Sequence, residues 1–269
     1  MCELFAMSAR QATTVSMSLE EFSRHGGLSG PHKDGWGIAW YDDRDIRLVK
    51  ERDPAASSAC VRFIETNPFS SSLVLSHIRK ATLGPVATRN CQPFARELGG
   101  AWHTFAHNGD LKGIAGERRF VTERFRPVGE TDSEQAFCAL LDALQPLWSS
   151  GEVPPIAQRR TIVERFAADL RELGPANFLY CDGDALFAHG HRRHQIDGSI
   201  APPGLWRLGR HCPAGGELSA DGLRIVADKG EQEVLLVASV PLTAENWLAL
   251  GEGEVVVARQ GRVVESERG

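Results

Sequence analysis

The chain has 269 residues, of which 42% are hydrophobic and 24% charged, with a formal net charge of −5. That length and apolar content suffice for a large sheet-based domain with a sizeable core. The acidic balance, with both signs interspersed, excludes a basic nucleic-acid face or a polybasic membrane patch, and no apolar run approaches the roughly 20 residues that span a bilayer.

Residues 1–8, MCELFAMS, are mostly apolar and predict a strand. No basic stretch leads into an apolar core there, so no secretory signal is expected and a cytoplasmic location follows. Residues 18–27, SLEEFSRHGG, predict a short helix: Ser18 suits the N-cap, Glu20 and Glu21 the first turn, and Gly26-Gly27 the end. GWGIAWYDD and IRLVKER read as two strands around Asp42-Asp43, SSLVLSHIRKA as a strand with a buried centre, and AWHTFAHNGDL as another ending in the turn-prone Asn108-Gly109. TDSEQAFCALLDAL is a helix: Thr131 with Glu134 makes a capping-box pattern, and Ala136, Leu140, Leu141 and Leu144 recur at helical spacing.

LWSSGEVPP is linker-like but short, and IAQRRTIVERFAADLREL is a longer helix with an exposed charged face. Strands then dominate: ANFLYCD, ALFAHG, LRIVAD, EVLLVASV and EVVVARQ. Runs of strands without strict alternation predict an α+β fold with layered sheets. The six cysteines (Cys2, Cys60, Cys91, Cys138, Cys181 and Cys212) include no CxxC pair, so neither a disulfide framework nor structural zinc is expected.

Cys2 directly follows Met1. Methionine is usually removed before a small residue, and the amine then exposed titrates at about 7.7–8.0, where it can take the thiol proton without a histidine. The plain alternative is a frayed or merely buried cysteine. In FAHNGDL, Asn108 and Gly109 are either a simple turn or two donors, side-chain amide and main-chain N–H, aimed at one oxyanion. Arg79, on an otherwise apolar strand, needs a partner: a structural carboxylate, or a substrate carboxylate matched by its planar fork. Asp132 is either a helix-N-terminal acid stabilised by the dipole or a receptor for a substrate ammonium.

Rival patterns are weaker. HGHRRH spaces His189, His191 and His194 in a way similar to metallohydrolase ligands, but it lacks the aspartate expected beside the last histidine, and Arg192 and Arg193 would repel a cation. A solvated basic loop is the expectation there, with no metal. Cys91 and His107 could form a conventional Cys–His pair, though a packed cysteine fits the tight turn between Asn90 and Pro93 better. Trp36, Trp40 and Trp102 read as core or pocket wall.

Taken together, the motifs resemble the glutaminase domain of class II glutamine amidotransferases, in the Ntn-hydrolase superfamily. The pattern is Cys2; Asp34-Gly-Trp-Gly37; His77, Arg79, Ala81 and Thr82; Asn90-Cys-Gln-Pro93; His107-Asn108-Gly109; and Glu130-Thr131-Asp132. The stand-alone YafJ-like group is closest, through GPHKDGWGI, RPVGETDSE and Val240-Pro241-Leu242. The resemblance implies a four-layer αββα sandwich of two mainly antiparallel sheets, with residues 2–269 as a single glutaminase domain.

It further implies that Cys2 attacks the glutamine side-chain amide and Asn108 and Gly109 hold the oxyanion. Arg79 and Thr82 would grip the α-carboxylate and Asp132 the α-amino group, without cofactor or metal. One departure is Gln92, where many ammonia-transferring members carry histidine, so that residue's loop or gating role is not carried over. A synthase domain is not expected after the glutaminase half. Either ammonia passes to a separate ammonia-accepting partner protein, or the enzyme simply hydrolyses a γ-glutamyl amide. The expected ligand is glutamine or a γ-glutamyl small molecule, a homodimer is one option for the assembly, and neither nucleic acid nor membrane is expected. The alternative is a non-catalytic glutamine-binding or regulatory module acting with a partner protein.

Overall fold

Residue period, more than composition, dictates the layers. In the computed structural model, which describes residues 2–17, 34–81, 83–195, 197–213, 217–220, 223–226 and 230–265, the chain runs β1 (Glu3–Met17), β2 (Trp36–Asp42), β3 (Asp45–Glu51), α1 (Ala59–Thr66), β4 (Phe69–Ile78), β5 (Phe94–Leu98) and β6 (Ala101–Gly109). Two helices follow, α2 (Asp132–Leu144) and α3 (Ile156–Arg171). The strands β7 (Ala176–Cys181), β8 (Leu186–His189), β9 (Arg193–His194), β10 (Ile200–Ala201), β11 (Trp206–Cys212) and β12 (Glu217–Ala220) come next. Last are β13 (Leu223–Val226), β14 (Gln232–Ala238), β15 (Leu248–Ala249), β16 (Val255–Arg259) and β17 (Arg262–Val263). The helix expected at 18–27 lies outside the described residues, as does Thr82.

The first sheet has the order β15-β11-β14-β1-β4-β2-β3, with β13 and β12 joined beside the far half of β1; the second is β17-β16-β8-β7-β6-β5. Pairing is antiparallel in both. Alternation along each strand assigns the two faces. Leu4 and Ala6 of β1, Leu73 and Leu75 of β4, and Leu235 and Val237 of β14 meet Ala106, Leu179, Leu186, Ala188 and Val256 between the sheets. The opposite set, Phe5, Met7, Val74, Ile78, Val234 and Leu236, packs under Val61 and Ile64 of α1. On the far side, Phe105, Phe178, Tyr180, Phe187 and Val257 pack under α2 and α3. Each fully buried side chain of this size contributes about 1.5–3 kcal/mol. The expected α+β sandwich of two antiparallel sheets is the observed one.

Several boundaries differ from expectation. β1 runs on to Met17, because after an irregularity between Ser8 and Thr13 it regains pairing with both β4 and β13. β5, β11 and α1 carry no strong sequence pattern and were not expected. The linker-like segment is a short 3₁₀ turn whose Trp148 is buried in the helix-side core. On α3 the charged face is not wholly exposed: Arg159 is buried and bonds Asp182 at 2.6 Å and Asp184 at 2.7 Å. The capping box on α2 forms as expected, with Thr131 accepting from the Glu134 N–H.

Candidate functional site

The register of the first sheet sets the site. Glu3 lies opposite Ile78, so Cys2 sits beside Arg79 and Lys80, where the chain leaves β4. The Lys80 N–H donates to Cys2 Sγ at 3.2 Å. From the second sheet, β6 ends at Asn108-Gly109, and Asn108 Nδ2 donates to the Cys2 carbonyl at 2.7 Å. A primary amide has two N–H donors, so this bond anchors Cys2 and leaves a second donor. Cys2, Asn108 and Gly109 line one cavity of about 290 Å³. Desolvation pushes the Cys2 thiol above its ordinary value, against the Lys80 N–H, which pulls it down. The sulfur therefore needs a base to become a nucleophile. Gly109 admits no side chain, since a Cβ there would lie 1.8 Å from the Pro175 carbonyl oxygen.

Arg79 is buried, and the expected structural carboxylate is not its partner. Its guanidinium donates to the main-chain carbonyls of Asp34 (3.3 Å), Leu83 (2.9 Å), Gly84 (3.3 Å) and Pro85 (3.2 Å). Among the described residues it has no ion pair. Asp132 opens α2, but its carboxylate does more than face the helix dipole: Oδ2 accepts from the Leu111 N–H at 2.8 Å and Oδ1 from the Ser133 N–H at 2.8 Å. It thereby ties α2 to the chain leaving Gly109. Neither Arg79 nor Asp132 lines the cavity that holds Cys2, Asn108 and Gly109.

Behind the Asn108-Gly109 corner lies a layer of tightly held polar groups. β5 pairs with β6 only as far as Phe94 opposite Phe105, leaving the His107 peptide without a strand partner on that side. Gln92 takes that place: its Oε1 accepts from the His107 N–H at 2.6 Å and its Nε2 donates to the His107 carbonyl at 3.2 Å. A side-chain amide has the same donor and acceptor pair as a peptide, so it mimics one more rung of the ladder. Asn90 and Glu130 tie the neighbouring loops, with Nδ2 to Glu130 Oε2 at 2.8 Å and the Glu130 N–H to Asn90 Oδ1 at 2.9 Å. Gly35 has φ +115°, and a Cβ there would meet Cys91 Sγ at 2.5 Å. Cys91 and His107 do not pair: Cys91 Sγ donates to the Glu51 carbonyl at 3.1 Å, while His107 Nδ1 lies 2.9 Å from Ser133 Oγ. Burial raises the Cys91 thiol and lowers the His107 imidazole.

The pattern common to class-II glutamine amidotransferases matches residues 1–268. The chain belongs to this family. It is 40% identical over 191 residues to YafJ of Escherichia coli (strain K12), an alignment covering 70% of this chain and 72% of that one. To a Haemophilus influenzae protein named for the same activity it is 30% identical over 270 residues, 98% of this chain and 86% of the other. The crystal structure of a predicted glutamine amidotransferase from Pseudomonas aeruginosa PA01 superposes with a TM-score of 0.73 at 35% identity, covering 98% of this chain and all of that one.

In this member of the family, sequence reasoning missed two residues and misread a segment. Asn177, opposite Asn108 on β7, lines the cavity, donates to the Asn108 carbonyl at 3.1 Å and the Arg192 carbonyl at 2.7 Å, and accepts from the His191 N–H at 2.8 Å. Its only sequence signal is a polar residue early in an apolar strand. Gln92 stood out only as a departure from the family pattern. The HGHRRH segment is not a solvated loop: His189, His191 and Arg193 are buried, and Arg192, Arg193 and His194 form cavity wall. Burial lowers His189 to about 3, and its Nδ1 lies 3.1 Å from the Glu254 carbonyl. Among the described residues no group of three or more His, Cys, Asp or Glu side chains is arranged to hold a metal. Trp36 is core, Trp40 stacks on Phe69 at 4.4 Å between ring centroids, and Trp102 packs between the sheets.

Proposed function

We propose that the protein, once Met1 is removed, hydrolyses the side-chain amide of glutamine or another γ-glutamyl amide through a thioester on Cys2. The α-amine of Cys2 takes the thiol proton, and the sulfur adds to the amide carbon. The free N–H of Asn108 and the Gly109 N–H receive the negative charge that develops on the amide oxygen, a contribution of about 3–4 kcal/mol per donor. The C–N bond breaks as the ammonium returns its proton to the leaving nitrogen, and water then releases glutamate and restores the thiol. Arg79, whose guanidinium has no carboxylate partner among the described residues, receives the substrate α-carboxylate together with Thr82; Asp132 receives the α-ammonium through its remaining lone pairs.

The observation that supports this reading is the 2.7 Å bond from Asn108 to the Cys2 carbonyl, which holds the thiol's own residue beside the Asn108 amide. Residues 2–269 act as one glutaminase domain in the cytoplasm, working as a hydrolase or passing ammonia to a separate protein, with a homodimer as its assembly. The test is Cys2→Ala: hydrolysis of glutamine and γ-glutamyl amides disappears while the circular dichroism and unfolding midpoint hold. Retained wild-type turnover means the nucleophile lies elsewhere, and a folded, inactive protein that binds glutamine equally well with and without the thiol favours the regulatory module.

A further inference from the structure

Both proposed oxyanion donors, the Asn108 amide and the Gly109 N–H, hang on one short piece of backbone. A trans peptide is planar, with its C=O and N–H pointing in opposite directions. Whatever fixes the Asn108 carbonyl therefore aims the Gly109 N–H, because the two share a peptide unit.

The register of the second sheet gives those directions. Peptide groups alternate in direction along an antiparallel strand. The Asp110 N–H donates to the Pro175 carbonyl at 3.2 Å, on the β7 side. One residue earlier, the Gly109 N–H faces away from β7, to the side on which Gln92 holds the His107 peptide. The Asn108 carbonyl faces β7, and there it meets Asn177.

Asn177 lies opposite Asn108, and alternation along β7 puts its side chain with Leu179 on the face between the sheets. It is buried, and both of its N–H donors are used: Nδ2 reaches the Asn108 carbonyl at 3.1 Å and the Arg192 carbonyl at 2.7 Å. Its Oδ1 accepts from the His191 N–H at 2.8 Å. The bonds to His191 and Arg192 clamp the far side of the amide, so the bond to Asn108 is made in a set direction. Gly204 closes over it from the other side: a Cβ there would lie 1.6 Å from Asn177 Oδ1.

We infer that Asn177 is a positioning residue for the oxyanion, aiming the Gly109 N–H by holding the Asn108 carbonyl. Hydrogen bonds in a chain polarise one another, so the bond accepted at that carbonyl also makes the Gly109 N–H a stronger donor. The inference rests on Cys2 as the nucleophile and on the Asn108-Gly109 corner as the anion cradle. Asn177 forms and breaks no covalent bond. It acts on a charge that exists only once the sulfur has added to the amide carbon, so its effect falls on kcat and not on ground-state binding.

Asn177→Asp replaces the donating NH2 by oxygen at nearly the same volume and keeps the acceptor for His191. The expected result is a kcat for glutamine at least about tenfold lower, with KM within about twofold of the wild-type value. Glutamate γ-semialdehyde, an aldehyde that forms a tetrahedral adduct with the thiol, inhibits at least about tenfold more weakly. Glutamate, which forms no adduct, inhibits within about twofold of its wild-type strength. Asn177→Ser shows the same split without a new charge, and serves where the aspartate variant fails to fold. A folded variant with unchanged kcat, or one that weakens aldehyde and glutamate equally, overturns the inference and leaves Cys2 as the nucleophile. Wild-type protein that neither turns over a γ-glutamyl amide nor is labelled at Cys2 by a glutamine-analogue electrophile overturns both.

Discussion

Two buried arginines handle the same problem in opposite ways. Arg159 on α3 is enclosed by Asp182 and Asp184, and Asp184 is shared with Arg259 at 2.8 Å. Every charge there has a counter-charge, and the cluster locks α3 to the turn between β7 and β8. Arg79, equally buried, is held by carbonyl oxygens with no ion pair among the described residues. A cation in a cage of dipoles is oriented but not neutralised, so it keeps an electrostatic demand that an anionic ligand can meet. The neutralised cluster is architecture; the unneutralised one is what the proposed carboxylate-binding role requires.

The comparison breaks most visibly at the structural pair. Arg159→Met strands Asp182 and lowers stability by about 3–5 kcal/mol, read from denaturant unfolding; a near-neutral change would mean that the cluster is replaceable. Next comes Glu3, whose carboxyl rises from an ordinary 4.5 to about 7. The native state then holds a proton that the unfolded chain has already lost. Its contribution is fully present below about pH 4.5 and is lost as pH rises through about 7, on the order of 2–3 kcal/mol across that window. Glu3→Gln removes this slope in a pH series of unfolding midpoints.

Gln92→Leu strands the N–H and C=O of His107, costing about 1–3 kcal/mol of stability and lowering kcat more than it raises KM, because the Asn108-Gly109 corner loosens. Arg79→Lys exchanges a fork for a point charge and raises KM by about tenfold; an unchanged KM would make Arg79 architectural too. The smallest effect is Thr131→Ala, which loses the α2 cap and about 1 kcal/mol.

What was legible in the sequence follows the range of each signal. The α2 cap is local, so Thr131 and Glu134 announced it. β2 and β4 announced themselves as short apolar runs, β2 bounded by the turn residues Asp42-Asp43. β5, whose ARE centre is polar, and β11, interrupted by Gly209, have weak alternation and are strands because their neighbours complete them. The site motifs were legible as residue types in fixed order, but their division of labour was not. Asn90, Glu130 and Gln92 hold loops through contacts between distant segments, and no spacing rule reveals that Gln92 stands in for a strand. HGHRRH read as surface because it is charged; the fold buries Arg193 against Glu3, whose place beside Cys2 sequence alone left without meaning.

The central claim is that the sulfur of Cys2, freed of Met1, forms the covalent bond to substrate. Peptide mass spectrometry of the N-terminus after incubation with a diazo-oxo-norleucine reagent tests it directly. The account predicts a chain that begins at Cys2 and carries one adduct on that residue, prevented by excess glutamine. A chain that keeps Met1, or an adduct that maps to Cys91 or another cysteine, contradicts it.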